Sequence, residues 1–278
     1  MMRRLPLPGG GELPVLGQGT WGMGERNARR DAEVEALRRG LDAGIELIDT
    51  AEMYGGGGAE RVVGTALEGR RDEAFLVSKV FPHNADRAGT VAACERSLRR
   101  LGTDRLDLYL LHWRGSTPLE ETMEAFERLR RDGKIRHFGV SNFDVADMND
   151  LFAAGAGTGV GTDQVLYNLT RRGPEFDLLP WCRERGLPVM AYSPIEQGRL
   201  LDDPVLGAVA AERGATPAQV ALAWVLRQDG VCAIPKAATA EHVDHNRAAV
   251  DLSLSDDELA SLDARFPAPT APEPLEIL

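Results

Sequence analysis

Residues 47–64, LIDTAEMYGGGGAERVVG, set Asp49 and Tyr54 five positions apart at the end of an apolar run and follow them with four consecutive glycines. Two chemistries fit such a stretch. Glycine loops can cradle phosphate on backbone N–H groups, and an acid with a phenol can serve proton transfer. A Walker loop would continue with Lys-Ser or Lys-Thr, yet Ala59 and Glu60 follow the glycines. Gly55 to Gly58 are therefore expected to turn the chain from Tyr54 into a helix starting near Ala59. A phenol titrates near pH 10 and alone is a poor acid at neutrality. An ammonium beside it would lower that value, and a carboxylate would hold the ammonium charged and oriented. A lowering of about three units takes roughly 4 kcal/mol, within reach of one partly desolvated ion contact. Lys79 and His112 also end apolar runs, and a histidine can fix a substrate oxygen by hydrogen bonding. Together the four residues are equipment for protonating an oxyanion as it forms.

Positioning them requires a common rim. The runs LPVLGQG, IELIDT, AFLVSKV, LDLYLLH, KIRHFGVS, TDQVLY, LPVMAYS and VCAIPK alternate with amphipathic segments along the chain. In one such segment Val91, Cys94, Leu98 and Leu101 share a stripe; in another, Leu119, Met123, Phe126 and Leu129 do. Eight strands with helical partners call for a parallel sheet. The count, and the lack of a linker, favour an α/β (β/α)8 TIM barrel over an open doubly wound sheet, with residues 1–278 forming one domain. RRLPLPGGGELPVLG reads as an N-terminal β-hairpin closing the barrel bottom. In such a barrel, polar residues at the carboxyl ends of strands face the active mouth. Those ends carry Asp49, Lys79, His112, Ser141–Asn142, Gln164, Tyr192–Ser193 and Lys236.

Composition narrows the classes. The net charge of −11 argues against a nucleic-acid partner. No apolar run approaches the ~20 residues of a membrane span, and no apolar segment follows the N-terminal arginines as in a signal peptide. Cys94, Cys182 and Cys232 are scattered within apolar patterns, as expected of reduced, buried thiols in a cytoplasm. No metal site is expected: H-x-H and H-E-x-x-H are absent, and Lys79 would repel a divalent cation. GQGTWG, residues 17–22, matches G-x-G-x-x-G, but no helical pattern opens on it. Trp181 and Trp224 fall on helical stripes and are expected in the core, while His83, His137 and His245 find no evident partners. The tail FPAPTAPEPLEIL is expected to lie irregularly on the surface.

LIDTAEMYG, VSKV, LYLLHW, GVSNF, YSPI and AIPKAAT, in this order, resemble the aldo-keto reductase family over essentially the whole chain. Within it the sequence is similar to bacterial reductases of small aldehydes, methylglyoxal among them. The resemblance implies a barrel that uses NADPH without a metal. It makes Tyr54 the proton donor, Lys79 its activator, Asp49 the group orienting Lys79, and His112 the group positioning the carbonyl. It places Ser141, Asn142 and Gln164 on the nicotinamide carboxamide and Tyr192 against the ring. Ser193, Ile195, Gln197 and Gly198 would cover the pyrophosphate. Ile234, Lys236, Thr239, His242 and Asn246 would surround the adenine and 2′-phosphate. Gly19, Thr20 and Trp21 would close the first strand beside the nicotinamide, Trp21 and Trp113 lining the substrate pocket; Trp21 could equally be a buried rim residue.

Two positions depart from the family pattern. Ala237 replaces a serine, and His242 stands where many relatives carry arginine. Both weaken discrimination for NADPH, so NADH is a second cofactor to test. The short tail and the short segment RGSTP after Trp113 imply a shallow, open pocket and broad reduction of small or medium aldehydes, with ketones secondary; nothing in the sequence demands a subunit interface, so a monomer is expected. The alternative is a redox-sensing NADP(H)-binding subunit with little turnover.

Overall fold

Strand formation follows from continuous apolar runs, which only a sheet covered on both faces can bury. In the computed structural model, which describes residues 2–153 and 155–278, all six residues of Leu106–Leu111 and all seven of Val160–Leu166 are buried. Ten strands are present among the described residues: β1 (Arg4–Pro6), β2 (Glu12–Pro14), β3 (Gly17–Gly19), β4 (Leu47–Asp49), β5 (Phe75–Val80), β6 (Leu106–Leu111), β7 (Ile135–Ser141), β8 (Val160–Leu166), β9 (Val189–Tyr192) and β10 (Val231–Ala233). β3 to β10 pair in parallel, each with the next. The Ala233 N–H donates to Val15 O at 2.9 Å and the Gly19 N–H to Pro235 O at 3.0 Å, which closes the ring between β10 and β3. Closure requires a glycine there, because a Cβ on Gly19 would lie 2.7 Å from the Ile234 carbonyl oxygen. The fold is thus the expected (β/α)8 TIM barrel.

β1 and β2 form the antiparallel hairpin, with Leu5 opposite Leu13. Leu5, Leu7 and Leu13 are buried, so the hairpin plugs the end of the barrel where the strands begin. The run LPVLGQG is therefore two strands, β2 belonging to the plug and β3 to the barrel.

Helices α1 (Arg30–Asp42), α2 (Gly58–Ala66), α3 (Arg87–Leu101), α4 (Leu119–Arg131), α5 (Val145–Ala153) and α6 (Leu178–Glu184) each follow one barrel strand. α7 (Pro204–Arg213) and α8 (Pro217–Leu226) follow β9; α9 (Ala240–Ala248) and α10 (Asp256–Arg265) follow β10. Their ends are chemically specified. Asp86 Oδ1 accepts from the N–H groups of Ala88 and Gly89 at 3.0 and 2.7 Å to start α3, and left-handed Gly102 ends it. Thr216 with Gln219 and Ser255 with Glu258 form capping boxes. Trp224 is fully buried on α8, as expected, whereas Trp181 is only partly buried on α6, beneath Arg185 and donating to Asn149 Oδ1 at 3.0 Å. An indole N–H needs an acceptor, and this one finds it at the surface.

Candidate active site at the barrel mouth

Parallel register brings the strand ends to one rim. Gly19 lies opposite Asp49, Lys79 opposite Leu110, and Ser141 opposite Gln164. Lys79 is fully buried, and its Nζ donates to Asp49 Oδ2 at 2.7 Å, to Thr50 O at 2.9 Å and to Tyr54 Oη at 3.3 Å. All three ammonium protons are used, which is what makes a buried charge tolerable. Gln164, from across the barrel, donates its Nε2–H to the other Asp49 oxygen at 2.8 Å. The Thr20 hydroxyl donates to Asp49 O at 2.9 Å and is fully buried, so its role here is to hold β4 in place.

Tyr54 is delivered by the glycines. Gly55, Gly56 and Gly57 have φ of 56°, 59° and 86°, and α2 begins at Gly58. The glycines turn the chain from Tyr54 into α2, as expected, and they do so through left-handed backbone. His112, just beyond β6, packs edge-on to Tyr54 with ring centroids 5.6 Å apart and against Trp113 at 5.0 Å.

The electrostatics correct one expectation. Burial pushes the Tyr54 phenol above its ordinary pKa; Lys79 pulls it back, and Asp49 adds to the upward push. The lysine therefore offsets desolvation instead of making the phenol unusually acidic. Burial also acts to lower the Lys79 pKa, but Asp49 and Tyr54 outweigh it and hold the ammonium above its ordinary value. His112 is lowered to about 2, by burial and then by Lys79, so its ring is neutral. Its Nδ1 is buried without a hydrogen-bond partner among the described residues.

Beside this cluster the Ser141 hydroxyl donates to Gln164 O at 2.8 Å, and Asn142 Nδ2 donates to His112 O at 3.0 Å. Tyr192 Oη donates to Asn142 Oδ1 at 2.9 Å. Among the described residues the non-glycine residues with left-handed φ are Asn142, Ser193, Glu196 and Gln197, and all lie on this side of the mouth. Each such conformation costs about 1–3 kcal/mol, and strain of this kind clusters where a binding surface must be held open. Ser193 to Gly198 form a strap after β9, with Gly198 left-handed as well. Further along the rim Ile234 is buried, while Lys236 is exposed and has no carboxylate partner among the described residues. Thr239 caps α9 by accepting from the His242 N–H at 3.3 Å, His242 is exposed, and Asn246 is buried.

Trp21 is 60% exposed, which rules out the buried-rim alternative and leaves its indole free to wall a pocket. Trp113 is partly buried against Phe81. The tail has no helix or strand of its own, as expected, and runs back to one side of the mouth: Glu276 pairs with Arg171, and the Leu278 backbone lies beside the Tyr192 hydroxyl. Among the described residues no three His, Cys, Asp or Glu side chains are grouped to hold a metal ion.

Residues 15–265 match the model of the aldo/keto reductase family. The chain belongs to this family. It is 52% identical to methylglyoxal reductase YeaE of Escherichia coli, over 99% of both chains. It is 35% identical to a glyoxal reductase of Bacillus subtilis, over 93% of this chain and 91% of that one. An aldo/keto reductase of Klebsiella pneumoniae, solved in complex with NADP and acetate, superposes with a TM-score of 0.97 at 52% identity over the full length of both chains. Within this family member, sequence reasoning missed Asn168, Arg171 and Glu196. The side chains of Asn168 and Glu196 are buried polar groups that hold the strap. They lie 28 residues apart, and no spacing rule joins them; an acidic residue inside a glycine-ended strap was the one available sign.

Proposed function

We propose that the chain is an NADP(H)-dependent reductase of small and medium aldehydes, 2-oxoaldehydes such as methylglyoxal included, with ketones as secondary substrates. The observation that carries this reading is the hydrogen-bonded line Asp49–Lys79–Tyr54 ending at an open rim, with neutral His112 against the phenol.

The residues present fit a nicotinamide dinucleotide. Gln164 Oε1 receives no hydrogen bond from the described residues and remains available to a carboxamide, and Tyr192 offers a partly exposed ring beside it. The strap and exposed Lys236 supply backbone donors and a cation along the cleft. Bound NADPH would supply a hydride from nicotinamide C4 to the carbonyl carbon. Tyr54 holds a proton at Oη and releases it to the carbonyl oxygen as charge develops there. Lys79, 3.3 Å away, stabilises the phenolate left behind, and Asp49 keeps Lys79 in place. The ring of His112 is neutral and its Nδ1 is buried, so the hydrogen bond to the substrate oxygen is assigned to Nε2–H.

Lys236 favours NADPH, and Ala237 and His242 leave room for some NADH use. The assembly state proposed is a monomer. The buried free thiols support a reducing compartment such as the cytoplasm. The test is NADPH oxidation across a panel of aldehydes, 2-oxoaldehydes and ketones. Turnover of several aldehydes with comparable kcat/KM is expected; one compound preferred by about a thousandfold would reject the broad-pocket reading.

A further inference from the structure

We infer that Arg171 is a positioning residue that couples the strained strap at Ser193–Gly198 to the C-terminal tail, so that the strap's grip on the dinucleotide depends on the tail. This rests on the reading of the cleft as a dinucleotide site.

The strap cannot hold its shape alone, since three of its residues, Ser193, Glu196 and Gln197, are left-handed without being glycine. What over-determines it comes from the turn after β8. Asn168 is fully buried; its Nδ2 donates to Ser193 O at 2.9 Å and to Glu196 Oε2 at 2.8 Å, fastening the strap at its start and in its middle. Arg171 closes that turn, its N–H donating to Asn168 O at 3.0 Å. Its guanidinium then donates to Glu196 Oε1 from Nη2 at 3.0 Å and from Nε at 3.3 Å. Arg199 Nη2 is a third donor to the Glu196 carboxylate, at 2.9 Å.

The remaining Nη1 of Arg171 is not spent on the strap. It pairs with Glu276 in the tail, a segment with no helix or strand of its own. The adjacent Arg172 pins the start of the same segment, through Phe266 O and through Asp263 at 2.7 Å. Two neighbouring arginines thus hold the two ends of the tail, and one of them also holds the strap. A planar fork with fixed donors suits this task, because one carboxylate sets the plane in which the other must bind. Releasing the tail frees the Arg171 head to swing, and the buried Glu196 carboxylate loses one of its partners. The tail reaches Tyr192, so the same link ties the wall beside the nicotinamide position to the strap.

The test is the rate at which bound NADPH leaves when chased with excess NADP+, followed by NADPH fluorescence in the full-length protein. Glu276→Gln, at an exposed position in the tail, is expected to speed dissociation about two- to five-fold, the range of a surface ion pair. Arg171→Met is expected to speed it by about tenfold or more, since the buried Glu196 then loses a partner. In the Arg171→Met background, Glu276→Gln should add nothing. Thermal melting without cofactor serves as the control for a merely structural effect and should be unchanged by Glu276→Gln. A wild-type dissociation rate in Glu276→Gln, or an equal acceleration with and without Arg171, overturns the coupling while leaving the dinucleotide reading intact. Failure of the wild-type protein to bind NADPH overturns both.

Discussion

At the scale of single residues the site is a buried ion pair, Asp49–Lys79, backing two neutral groups, Tyr54 and His112. Tyr54 is protonated at neutral pH, as any phenol is, and burial, outweighing the help of Lys79, raises its pKa further. As a general acid it acts in its protonated form, so a raised pKa places the loss of activity on the alkaline side, beyond the ordinary phenol value near 10. His112, lowered to about 2, contributes no titration in the physiological range. The rate of NADPH-dependent reduction is therefore expected to be flat from about pH 6 to 9, since neither group changes charge there. A pH profile with a limb near neutrality would show that one of these two directions is wrong. Tyr54→Phe removes the donor and keeps the ring that packs on His112. It should lower kcat by about 10²–10⁴ while NADPH still quenches tryptophan fluorescence as in the wild type. Wild-type turnover by that variant would remove Tyr54 from the mechanism.

Elements deliver these residues through backbone features that only certain side chains allow. The turn between Tyr54 and α2 is the sharpest case. A Cβ on Gly57, at φ 86°, would lie 2.6 Å from Arg100 Cδ, and Arg100 is held by the buried Glu60 carboxylate. Gly56, at φ 59°, has nothing within 4 Å of its Cβ position. Gly56→Ala should thus cost about 1 kcal/mol for the left-handed backbone alone. Gly57→Ala should cost about 1–3 kcal/mol more through the displaced ion pair, and should lower activity by moving Tyr54. Urea unfolding of the two variants compares them directly; equal destabilisation would mean that Arg100 does not crowd the turn.

For the whole molecule, the alternation of β8 has a consequence on the face away from the site. Gln164 points into the barrel toward Asp49, so Asp163 points outward into the layer between sheet and helices. It is fully buried, and neither carboxylate oxygen has a hydrogen-bond partner among the described residues. The backbone N–H groups of Phe143 and Gln164 face it and favour the anion, but burial dominates, and Asp147 and Asp144 add repulsion. Its pKa is pushed well above the ordinary value, so the folded protein keeps a proton that the unfolded chain loses near pH 4. With more protons bound in the native state, stability falls as pH rises above that point. Asp163→Asn should stabilise by about 1–3 kcal/mol at pH 7, and the gain should vanish near pH 4. Melting temperatures at both values check this; a gain of the same size at pH 4 would show that the effect is not ionisation.

By itself the sequence determined the barrel, its plug and the residues at its mouth, because apolar period and strand-end position are local properties. Asp49, Tyr54, Lys79 and His112 each stand at or just after an apolar run, so their convergence was readable before any coordinates. Three things were decided only by the tertiary structure: the balance of burial against charge at Tyr54, the return of the tail to the mouth, and the grip of Asn168 and Arg171 on Glu196. Each depends on how deeply a group is withdrawn from water and which distant chain meets it there, and desolvation is a sum over neighbours that spacing along the chain does not encode.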